Sequence, residues 1–124
     1  MTIGSIAESQ KIPRRYLEGI LNQLQKGGLL EAERGRHGGY RLARDVGEIT
    51  VGEVVRLIDG RIRAVECVEQ NVATDCPMRS DCVFLPTWRN VQRAIDQALD
   101  STTFLQMVKL ESASRHKQCL NYTI

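Results

Sequence analysis

Cys67, Cys76 and Cys82 follow one another at C-x8-C and C-x5-C spacing within a polar, proline-containing stretch. Their neighbours Glu66, Glu69, Gln70, Asn71, Asp75, Arg79 and Asp81 offer no apolar bed in which a thiol would sit as a small hydrophobe. Clustered thiols are a soft donor set, suited as thiolates to iron-sulfur clusters and to thiophilic metals. Tetrahedral zinc sites are usually built from short C-x2-4-C hooks, which these wider gaps match poorly. Two further readings are a metal-free thiol switch using Cys76 and Cys82, and a linker that binds nothing. Cys119 stands apart near the C-terminus. The histidines, His37 and His116, fall in a glycine-rich turn and in the tail, and no acid-base pair or activated nucleophile is evident, so no enzyme is expected.

A second set of residues is suited to binding an anion. The net charge is only +2, but up to Arg44 the basic residues Lys11, Arg14, Arg15, Lys26, Arg34, Arg36, Arg41 and Arg44 outnumber the acidic Glu8, Glu18, Glu31 and Glu33 two to one. A polyanion would therefore dock on the N-terminal half. The apolar runs fall far short of a membrane span, and Met1 to Ser5 lack a basic region followed by an apolar core. The expected compartment is the cytoplasm, where thiols stay reduced and clustered cysteines bind metal or sense redox state.

These residues need elements to position them. Thr2 to Ser9 reads as a short helix with Thr2 as N-cap. Pro13 then suits the first turn of a second helix, which carries Leu17, Ile20, Leu21 and Leu24 on one face and ends at Gly27-Gly28. Arg14, Arg15, Glu18, Asn22 and Gln25 lie on or beside the opposite face, where side chains of a recognition helix could reach base edges. Leu29 to Glu33 and Tyr40 to Ala43 are strand-like and flank the turn Arg34-Gly35-Arg36-His37-Gly38-Gly39, a basic hairpin that would serve as a wing. Arg34, Arg36 and Arg41, with His37, are placed to enter a minor groove or meet phosphate.

A third helix starts at a Thr50/Glu53 capping box and carries Val51, Val54, Val55 and Ile58. Beyond Pro86 a longer helix carries Trp88, Val91, Ile95 and Ala98 or Leu99 as a seam for another helix, and Thr103 with Gln106 can cap a last one. The expected fold is mainly α with a small β-hairpin: a winged helix-turn-helix at residues 1–60, a cysteine-bearing sensor loop at 61–86, dimerisation helices at 87–112 and a flexible tail at 113–124.

Ile6-Ala7-Glu8, the stretch Ile12 to Leu24 with Tyr16-Leu17-Glu18 inside it, Arg34-Gly35 to Gly38-Gly39-Tyr40-Arg41-Leu42-Ala43, and Ile49-Thr50-Val51 closely resemble the winged helix-turn-helix repressors related to IscR, NsrR and CymR. Cys67, Cys76, Cys82 and Trp88 also fall where cluster-binding members of that family place three cysteines and a tryptophan. The resemblance implies a homodimer on a palindromic double-stranded DNA operator, with Glu18 matching the base-reading glutamate, Arg34 the wing arginine and the three cysteines the ligands of an iron-sulfur cluster.

The chain departs from the pattern at the fourth ligand. IscR-like members carry a histidine three residues after the last cysteine, where Leu85 stands here. NsrR-like members use an acidic residue of a first helix, whereas this sequence opens at what resembles the second. Asp75, Asp81, His116, Cys119 or an external small ligand are the substitutes. The alternatives to a cluster-controlled repressor are a metal-free regulator answering to thiols or a small effector, and a metal- or redox-binding interaction module that does not bind DNA.

Overall fold

The computed structural model describes residues 1–68, 76–77 and 82–121, of which 117–121 are described by their backbone alone. Five helices and a two-stranded hairpin follow in the order α1 (Ile3–Gln10), α2 (Arg14–Lys26), β1 (Leu30–Glu33), β2 (Gly39–Leu42), α3 (Val51–Ile58), α4 (Leu85–Asp100) and α5 (Phe104–Asn121), with a 3-10 turn at Glu66–Val68 before α4. Thr2 caps α1 by accepting from the Ser5 amide at 3.2 Å. Lys11 ends the helix in the left-handed region (φ 53°), and the Ile12 amide bonds back to the Ala7 carbonyl. The chain then turns at Pro13 into α2, so the two helices form the expected helix-turn-helix.

At the far end of α2, Gly28 takes a φ of 74° that a side chain would resist, and Leu29 is delivered into the core. The hairpin is antiparallel in the register Leu30 to Leu42, Glu31 to Arg41, Ala32 to Tyr40 and Glu33 to Gly39. It starts and ends one residue away from the expected limits, although the Ala43 amide still donates to the Leu29 carbonyl at 3.0 Å. Met1 pairs with the free edge of β2: its amino group donates to the Tyr40 carbonyl at 3.0 Å, and its own carbonyl accepts from the Tyr40 amide at 2.9 Å.

Thr50 caps α3 by accepting from the Glu53 amide at 3.1 Å, as the sequence pattern requires. Thr103 and Gln106 form the reciprocal cap of α5 at 3.0 and 3.3 Å. The two caps are joined. Thr50 and Thr103 form an isolated antiparallel bridge, with the Val51 amide donating to the Thr102 carbonyl at 2.8 Å and the Phe104 amide to the Ile49 carbonyl at 2.9 Å. Arg56 of α3 also pairs with Asp100 of α4, a hydrogen bond that raises the guanidinium pKa above its ordinary value.

One expectation changes. The stretch expected to be a flexible tail at 113–124 is helical in its backbone as far as Asn121, where α5 ends. In α4 the expected seam is largely uncovered, with Trp88 and Val91 exposed, while Gln92 is buried to 3 % exposure. The apolar core among the described residues is correspondingly thin, comprising Leu17, Leu21, Leu29 and Ile49. Between the wing, α3 and the start of α5 lies an apolar cavity of about 320 Å³ lined by Leu24, Leu30, Leu42, Val54, Phe104 and others.

Thr50→Ala removes a cap at the junction of both halves. It is expected to destabilise the chain by about 1 kcal/mol. Thermal unfolding followed by circular dichroism should show this as a midpoint lowered by about 4 °C.

Candidate nucleic-acid interface

Helix α2 buries Leu17 and Leu21 against its neighbours and turns Arg14, Arg15 and Asn22 outward, all exposed, with Glu18 partly so. Arg14 Nε donates to Glu18 Oε1 at 3.3 Å, an exposed i,i+4 pair that offsets the carboxylate where it would face a polyanion. Arg15 makes no ion pair among the described residues and is left as an open donor. Tyr16, absent from the residues expected at the interface, is 67 % exposed between Arg15 and Glu18. Its position directly before the buried Leu17, about 100° away round the helix, was the signal that could have found it. Its hydroxyl is a donor suited to phosphate.

The hairpin tip carries Arg34, Arg36 and His37, all exposed. Gly35 has a φ of 147°, and the Gly38 amide closes the tip by donating to the Gly35 carbonyl at 3.1 Å. Among the described residues neither tip arginine meets a carboxylate. Arg41 differs, since it lies opposite Glu31 in the register and donates to it at 2.6 Å. Guanidinium groups without an ion pair among the described residues thus stand at the start of α2 (Arg15) and at the wing tip (Arg34 and Arg36), where they can neutralise phosphate without first breaking an internal pair.

The thiols sit elsewhere. Cys67 and Cys82 are half-buried and Cys76 is exposed, all three as free thiols. Cys67 lies in the 3-10 turn packed on α4, and the Cys82 carbonyl accepts from the amide of Leu85, the first residue of α4. Among the described residues no group of three His, Cys, Asp or Glu side chains is close enough to hold a metal ion, so the structure does not bring the three sulfurs together. Of the fourth-ligand substitutes, His116 is exposed, while Asp75, Asp81 and the Cys119 side chain lie outside the described residues.

Residues 1–110 match the model of the Rrf2 family, described as iron-dependent transcriptional regulators. The chain belongs to the Rrf2 family. It is similar to protein rrf2 of Nitratidesulfovibrio vulgaris, with 31 % identity over 96 % of this chain and 78 % of that one. It is also similar to the transcriptional regulator IscR of Xenorhabdus nematophila, with 32 % identity over 96 % of this chain and 67 % of that one. Among solved structures, CymR, the global cysteine regulator of B. subtilis, superposes with a TM-score of 0.68 at 28 % identity, covering 89 % of this chain and 78 % of that one. IscR of T. potens gives 0.66 at 32 %, covering 88 % and 69 %. Like these Rrf2-family relatives, the chain is a winged-helix, DNA-binding transcriptional regulator, not an enzyme. No described helix is long and apolar enough to cross a membrane.

Two substitutions separate base reading from charge. A base-reading role for Glu18 predicts that Glu18→Ala relaxes sequence choice by about 1–3 kcal/mol while nonspecific binding persists. An equal loss on all duplexes, read by fluorescence anisotropy on operator variants, would remove the base-reading role. Arg34→Ala is expected to weaken all duplexes alike and to reduce the slope of log affinity against log salt by about 1. Arg41→Ala, which also loses its partner Glu31, should cost less.

Proposed function

We propose that this Rrf2-family chain is a cytoplasmic repressor that binds a palindromic double-stranded operator as a homodimer, its affinity set by an iron-sulfur cluster on Cys67, Cys76 and Cys82. Glu18, Asn22, Arg14 and Arg15 would read and grip the major groove, with Tyr16 on phosphate, and Arg34, Arg36, His37 and Arg41 would serve the wing. The observation that carries the regulatory part is the position of the thiols. Cys67 packs on α4 and Cys82 leads directly into it, so a group held by both would act on that helix. From α4 the path to the DNA-facing half is short, through Arg56 to Asp100 and the Thr50–Thr103 bridge.

The donor chemistry fits the group. Three free sulfurs match the ligands an iron-sulfur cluster takes, and the family's description as iron-dependent agrees with them. The dimer is supported by the apolar surface left open: Val83, Phe84, Trp88 and Val91 along the start of α4, and Met107, Val108 and Leu110 on α5. A thin core beside so much exposed apolar surface fits an obligate partner, and a second copy would set two recognition helices about one DNA turn apart.

Anaerobic purification, visible absorbance and iron and sulfide analysis test the cluster, comparing the native chain with Cys82→Ala. The native chain is expected to be coloured and to carry both elements, and the variant to lose most of each. A native chain that stays colourless and iron-free after reconstitution would overturn the cluster. Formation of a Cys76–Cys82 disulfide under mild oxidation would then favour the metal-free thiol switch.

A further inference from the structure

Gln92 is the only buried polar side chain among the described residues, and two of its bonds reach backbone groups of the segment that leads to Cys67. Its Nε2 donates to the Ile62 carbonyl at 2.8 Å, and its Oε1 accepts from the Ala64 amide at 2.9 Å. The same Nε2 also reaches Asp96 Oδ1 at 3.3 Å, one turn along α4. The other carboxylate oxygen of Asp96 accepts from Arg61 at 2.9 Å. Two side chains of α4 therefore fasten residues 61, 62 and 64.

Ile62 is 43 % exposed, so its side chain adds little packing at this point. A buried carboxamide is tolerated only when its donor and acceptor are both used, and no buried side-chain nitrogen or oxygen among the described residues lacks a partner. A carboxamide donates from its nitrogen and accepts at its oxygen, which leucine, methionine or an ionised glutamate cannot do.

We propose that Gln92 is a positioning residue: by clamping Ile62 and Ala64 to α4 it fixes Cys67 against the helix that Cys82 leads into. Both half-buried thiols are then referenced to one rigid element, Cys67 through the clamp and Cys82 through its carbonyl bond to the Leu85 amide. A change in what the thiols hold is borne by α4 instead of being absorbed by slack in residues 61–66. The consequence for DNA binding rests on the cluster reading above; the clamp itself does not.

The test uses the full chain, reduced and iron-free, in native and Gln92→Leu forms. Anaerobic pulses of iodoacetamide followed by peptide mass spectrometry give a rate for each cysteine. Gln92→Leu is expected to raise the Cys67 rate about tenfold relative to Cys82, because the segment carrying Cys67 opens locally. An unchanged Cys67 to Cys82 ratio overturns the proposal, as does a parallel rise at both, which marks a general loss of stability. If Gln92→Leu does not fold, Arg61→Gln, which removes the exposed bond to Asp96, is labelled in its place. An increase in the ratio of about threefold is then expected, and none overturns the proposal.

A second arm compares operator affinity with and without iron after reconstitution. Gln92→Leu is expected to take up as much iron as the native chain, with the same visible absorbance, yet to show nearly equal affinity in the two states. A native-like difference between the states overturns the coupling. If the native chain loads no iron, the cluster reading fails, while the labelling ratio still decides the clamp.

Discussion

A single antiparallel bridge between Thr50 and Thr103 holds the two halves of this molecule together. The bonds from the Val51 amide to the Thr102 carbonyl and from the Phe104 amide to the Ile49 carbonyl set the starting points of α3 and α5 side by side. The same two threonines cap those helices, so the bridge and both helix starts stand or fall together. Backbone groups at a helix start otherwise need water or side chains, and here the pairing satisfies them while locking the C-terminal helices to the DNA-facing half. The Leu105 amide adds a bond to the Val46 carbonyl at 3.2 Å, and α3 packs on α4 across the same junction. The pairs Arg44 to Glu53 and Arg56 to Asp100 reinforce it from the sides.

Charge is distributed by a similar logic of pairing. Arg41, Arg44, Arg56 and Arg61 are committed to carboxylates that order the scaffold, and Arg14 to the carboxylate beside it on α2. Arg15, Arg34 and Arg36 have no such commitment among the described residues. A net charge of +2 therefore understates the field at the wing tip and at the start of α2, since arginines paired internally contribute little to a distant phosphate.

Helix α4 carries three kinds of surface. One face holds Gln92 and Asp96, which grip the approach to Cys67; its C-terminal end meets α3 through Asp100; and the stripe with Trp88 and Val91 is open. An apolar periodicity marks a face that must be covered without naming its cover. In the isolated chain the stripe is open at Trp88 and Val91, while polar bonds from Gln92, Asp96 and Asp100 help to fasten α4 to its own chain.

Local features were legible in the sequence because neighbours within four residues encode them. The caps at Thr2, Thr50 and Thr103, the left-handed stop at Gly28, the leucine face of α2 and the basic turn between two short strands all follow from side-chain chemistry at fixed short spacing. The family resemblance rested on these same patterns. Tertiary structure decided what those patterns leave open. Gln92 reads as an ordinary polar position on a helix until Ile62 and Ala64 are brought to it across 30 and 28 residues of chain. Glu31 and Arg41 become partners only through the hairpin register, and Thr50 and Thr103 only when the α4–α5 turn folds back on α3. These are bonds between residues far apart in the chain, whose worth depends on burial and alignment that no local pattern specifies.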